Sequence, residues 1–180
     1  MNNTRNWSRV IPFEIAGAIA GMLGGAMMAM FTMIATATYL HMGFFTPLYV
    51  IASPLTGPQY MMTAMHGGMF SFAFGPAILG LVVHMMWSAL WGIIFGLIAY
   101  GLHLRGMVAI IGGMVYGVLI MLVMNFILLP LVGAPNLLTL LGGTTFIIGH
   151  LLFGMVVGLW PVLRPQDFTG LLGQQSRQTA

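Results

Sequence analysis

The sequence predicts an all-α integral membrane protein, a bundle of four transmembrane helices with a short interfacial helix on the outer side. Three observations predict it. Of 180 residues, 59% are hydrophobic and 4% are charged, whereas a soluble domain carries about 25% charged residues and needs them to coat its surface. Several apolar runs reach the roughly 20 residues that cross the hydrocarbon core of a bilayer. Within those runs small residues recur every fourth position, the spacing of helices that approach closely in lipid.

Taken in order, residues 1–10 (MNNTRNWSRV) form a polar N-terminal segment in which Trp7 suits the membrane interface. A first span is expected over about 11–40. It is too long for the roughly 7–15 residues of a signal-peptide core, and Gly17, Gly21, Gly25 and Ala29 form a small-residue stripe along it. Residues 41–75 are apolar but interrupted by Pro47, Pro54, Gly57 and Pro58. They predict a turn-rich segment with one or two short helices, such as Tyr60 to Met69, lying in the interface or capping the bundle.

Pro76 suits a first helical turn and opens a second span, 76–101. The tight connection His103-Leu104-Arg105-Gly106 implies that the third span, 107–130, is its antiparallel neighbour. A fourth span is expected over 142–163, giving one membrane domain over 11–163 and a polar tail over 164–180.

Charge sets the orientation. The basic residues are five arginines, Arg5, Arg9, Arg105, Arg164 and Arg177, and all fall on one side of a four-span arrangement. By the positive-inside rule both termini are expected in the cytoplasm. Scattered arginines offer no nucleic-acid footprint. Cysteine is absent, which removes disulfides, thiolate metal sites and thiol nucleophiles. Glu14 and Asp167 are the sole acids and lie near the cytoplasmic face, where pairing with an arginine or the headgroups accounts for Glu14. With no carboxylate pair, P-loop or G-x-S-x-G elbow, the chain is not expected to be an enzyme.

The stretch His84 to Gly96 places His84, Ser88, Gly92 and Gly96 on one helix face. His150, Gly154 and Gly158 repeat the spacing in the fourth span, and Pro54-Leu55-Thr56-Gly57-Pro58 resembles Pro130 to Pro135. Together these suggest two tandem helical hairpins. Counted from Pro76 and Gly142, the two histidines lie at matching depth, about 12 Å inside the outer helix ends. Asn125, Ser88, Thr32 and Thr36 fall in the same outer layer. Such groups either bond helices together or form a site for a ligand, metal or proton, and cofactor-binding candidates are His84, His150, Asn125 and Ser88.

Haem b is an alternative for paired histidines, but its propionates would find no arginine on the outer side. Copper is the other. Met62, Met65, His66 and Met69 share one helical face with His41 on the same side, a thioether and imidazole set that Cu(I) accepts. Against it, methionine makes up 18 of the 180 residues and fills apolar gaps generally.

At His84-x-x-x-Ser88, the Gly112 to Pro130 stretch ending in Leu-Pro-Leu-Val-Gly, and Gly149-His150-Leu151-Leu152-Phe153-Gly154, residues 76–163 resemble the YagU-like family of small uncharacterised bacterial inner-membrane proteins. The resemblance implies a four-span protein of the bacterial inner membrane with no assigned reaction. The expected role is a scaffold or accessory subunit that packs through its glycine faces as a homo-oligomer or inside a larger membrane complex, because four glycine stripes exceed what one small bundle uses. The alternative is a small transporter or ligand-binding protein built on His84, His150 and Asn125.

Overall fold

A computed structural model describes residues 11–66 and 72–163, with side chains from Glu14 to Pro161. Trp7, Arg5, Arg9, Met69, Arg164, Asp167 and Arg177 lie outside the described residues. The fold is all-helical. In chain order come α1 (Ile11–Thr38), α2 (Thr46–Thr56), α3 (Gln59–His66), α4 (Phe74–Gly101), α5 (Gly106–Val123), a π turn (Met124–Leu128), α6 (Leu129–Leu131), α7 (Leu137–Leu140) and α8 (Gly143–Leu163). Four segments are long and apolar enough to cross a membrane: Glu14–Thr38, Phe74–Gly101, Gly106–Leu131 and Gly143–Pro161. Outward-facing Ile19, Leu23, Met30, Ile34, Leu119 and Phe126 are exposed, a surface that lipid solvates and water does not.

The spans pack as two pairs. α1 lies along α4, α5 lies along α8, and α1 against α8 joins them. Glycine decides both pairings, because a Cβ on Gly92 would strike the carbonyl of Gly17 and the backbone of Gly21. In the other pair, a Cβ on Gly154 would strike the carbonyl of Gly113 and the backbone of Met114. Backbones this close exchange dispersion along their whole length, which is what holds helices together when lipid is as apolar as leucine.

Three expectations change here. α4 and α5, joined by a turn in which His103 and Gly106 adopt positive φ, barely touch. Connection length alone does not choose a packing partner when the glycine faces point elsewhere. The repeat also has a different register. Gly21 meets Ser88 and Gly92 as Gly117 meets His150 and Gly154, so the packing counterpart of His150 is Ser88 and that of His84 is Phe146, one turn along. Finally, the glycine stripes are taken up inside the chain, Gly24 and Gly149 included, since these face Phe153 and Met28 across the α1–α8 contact.

The proline-broken connection forms a cap at the end of the bundle away from the α4–α5 turn. Pro47 occupies the first turn of α2, where its missing N–H costs nothing, and Gly57 ends that helix at φ 82°. α2 does not lie flat in an interface. Thr46, Leu48, Tyr49, Val50 and Ala52 are buried, and a Cβ on Gly80 of α4 would strike the Leu48 backbone. α3 then packs on α2. On the other pair, α5 widens into the π turn just before Pro130, a residue that cannot supply the next helical N–H, and the segment through α7 completes the cap.

Candidate functional site

Because α4 and α5 stand apart while the cap bridges above them, a cavity of about 150 Å³ lies between the two pairs. Its walls are mostly apolar and come from both sides, with Met28 on α1, Leu48 and Ile51 on α2, Trp91 on α4, Ile120 on α5 and Phe153 on α8. His84, Ser88, Thr32 and His150, with the indole N–H groups of Trp87 and Trp91, are the polar groups of the lining residues, which include no acid and no arginine or lysine.

Each histidine is anchored by one ring nitrogen. His84 donates Nε2–H across the α1–α4 contact to the carbonyl of Gly25 at 3.0 Å. That reach depends on glycine, since a Cβ at Gly25 would strike Ser88 Oγ and Cβ. His150, 4% exposed, donates Nδ1–H to the carbonyl of Phe146 on its own helix at 2.9 Å and meets the Phe146 ring edge to face at 4.5 Å. In a neutral imidazole the committed N–H fixes the tautomer. Nδ1 of His84 and Nε2 of His150 therefore keep lone pairs, with no protein partner among the described residues.

The hydroxyls behave alike. Ser88 donates to the His84 carbonyl at 2.7 Å and Thr32 to the Met28 carbonyl at 2.8 Å. The hydrogens of these four residues are thus spent on helix backbone, and what they offer the cavity is acceptor capacity, while the indole Nε1–H of the lining residue Trp91 is buried without a partner. At its lower edge, Tyr116 of α5 donates to the Trp91 carbonyl of α4 at 2.8 Å, and the Trp87 and Trp91 rings stack at 6.3 Å.

Of the sequence candidates, His84, His150, Ser88 and Thr32 share the cavity, whereas Asn125 and Thr36 do not line it. Asn125, 1% exposed, accepts the Leu138 N–H at Oδ1 (3.1 Å) and so ties the π turn to α7. Its Nδ2 is buried without a partner. Thr36 donates to the Met33 carbonyl at 2.8 Å. The pair Trp87 and Trp91 went unremarked in the sequence reading, although its i, i+4 spacing beside His84 is the signal that would have found it. The apolar roof could not be read that way, because it comes from α2 and α7, far apart in sequence.

The methionine-rich candidate is placed elsewhere. On α3, Met61 and Ala64 are buried, Met65 packs on the core, and Met62 and His66 face outward. His41 is exposed at φ 52°. Among the described residues no three His, Cys, Asp or Glu side chains group closely enough to hold a metal.

Comparison with known proteins adds no family. No protein-family model, curated protein or solved structure matches the chain. The chemistry therefore rests on the cavity itself: two lone-pair nitrogens in an apolar space can accept a hydrogen bond or a proton, or ligate.

Proposed function

We propose that the protein is a membrane-embedded binding protein that takes a small molecule into the cavity between its two helix pairs, with no reaction of its own. The observation that carries this reading is that His84 and His150, from different pairs, each commit one N–H to a backbone carbonyl and keep the other nitrogen unpaired at the same cavity. Histidines serving as interhelical glue need only the first bond. A concave apolar space with a few converging polar groups is the form small-molecule sites take.

In the same proposal the protein sits in a bacterial inner membrane with both termini in the cytoplasm. Arg105 supports this, being exposed at the α4–α5 turn, the end of the bundle from which α1 starts and at which α8 finishes. The resemblance of residues 76–163 to the YagU-like family fits the same location.

Native mass spectrometry of the protein released from its own membranes tests the reading. The expected result is a small molecule retained by the wild type and lost from His84→Leu/His150→Leu, with circular dichroism showing both folded. Equal retention by the folded double variant, or none by the wild type, would count against it.

A further inference from the structure

The cavity has a mouth. Of its lining residues only Pro54, Trp87 and Val132 are exposed, and they come from α2, α4 and the end of α6. Trp87 stands at the midpoint of α4 (Phe74–Gly101), about 20 Å along the axis from either end at about 1.5 Å per residue. The opening runs between two spans that barely touch, from Pro54 and Val132 in the cap down to Trp87 at mid-span, and its lower part faces acyl chains. Within, Ser88, Thr32 and the two imidazoles present acceptors, their own hydrogens being spent on backbone carbonyls. No lining residue carries a formal charge to balance an ion, and an unbalanced charge in such a space is costly. A void near 150 Å³ has room for one benzene-sized ring.

Building on the binding reading above, we infer that the ligand is a neutral, lipid-dissolved hydroxyl compound, an alcohol or phenol. Its O–H donates to Nδ1 of His84 or Nε2 of His150, and its apolar tail leaves the cavity past Trp87 and Val132 into the bilayer. An amine or carboxylate headgroup lacks a countercharge there. A ketone or ether has no hydrogen to donate to the two imidazole nitrogens and would leave both unpaired.

The test uses the full chain in phosphatidylcholine nanodiscs, with Trp7→Phe and Trp160→Phe so that fluorescence reports Trp87 and Trp91. The probes are 4-bromophenol, whose bromine quenches indole, and 4-bromoanisole, which has the same shape without the hydroxyl hydrogen. Saturable quenching by the phenol is expected, with the anisole about tenfold weaker, near the upper end of what one hydrogen bond contributes. 4-Dodecylphenol should displace the bromophenol, because its chain can leave by the mouth. Saturable binding of both probes with equal strength overturns the hydroxyl assignment while leaving the cavity a binding site. If dodecylphenol fails to displace, the lipid-facing mouth is wrong. If neither probe saturates, the binding reading itself falls. His84→Leu/His150→Leu, or the two single variants where folding demands them, should bind both probes alike.

Discussion

The hydroxyl of Tyr116 on α5 donates to the main-chain carbonyl of Trp91 on α4 at 2.8 Å, across the cleft between two spans that otherwise barely meet. The ring of Tyr116 also lies 5.2 Å from that of Phe95, so one residue braces the lower edge of the cavity in two ways. Tyr116→Phe keeps the ring contact and removes the bond. The loss in unfolding free energy should be small, about 0.6 kcal/mol, the usual size of a side-chain hydrogen bond inside a membrane. Spin labels on α4 and α5 should nonetheless report a wider or broader distance distribution, and an unchanged distribution would show that the bond does not hold the spans.

The two histidines should differ in what they stabilise. His84 bonds a neighbouring helix, whereas His150 bonds its own. His84→Leu should therefore loosen the α1–α4 pair by about 0.6 kcal/mol, and His150→Leu should leave the α5–α8 pair unchanged. Steric-trap or SDS unfolding that reports each pair separately checks this, and equal effects on both pairs would contradict it.

Glycine substitutions should sort by what a Cβ would meet. Gly92→Ala drives a methyl group into the backbone of Gly17 and Gly21, which cannot yield without separating the helices, at about 1–3 kcal/mol. A Cβ on Gly75, in the first turn of α4, meets nothing within 4 Å. Gly75→Ala should be neutral or stabilising by up to about 1 kcal/mol through helix propensity. Melting temperatures of the two variants in one detergent should move in opposite directions or differ by several degrees.

Asn125→Ala should act locally. It removes the acceptor of the Leu138 N–H, but it also removes an Nδ2 that is buried without a partner, and these two changes offset each other. Global stability should shift by less than about 1 kcal/mol, while hydrogen exchange at Leu138 and through residues 137–141 accelerates. Unchanged exchange there would mean that α7 does not depend on Asn125.

What the sequence could settle was what hydropathy settles. Whether a segment tolerates lipid depends on its own side chains summed over some twenty positions, so four spans and a capped connection could be read from composition and proline placement. The expected span 76–101 and the observed α4 (Phe74–Gly101) differ by two residues. Helix faces were legible for the same local reason, which is why spacing alone places His84 and Ser88 together.

Tertiary structure alone decided which face meets which. Gly92 could have packed on any small-residue stripe, and its partner is α1 because Gly17, Gly21 and Gly25 let that backbone come close enough for His84 to reach a carbonyl. The same pairing pulls α4 away from α5, opens the cavity and leaves Asn125 outside it. Register between segments dozens of residues apart is a cooperative property of all the contacts at once, and no stretch of the chain carries it by itself.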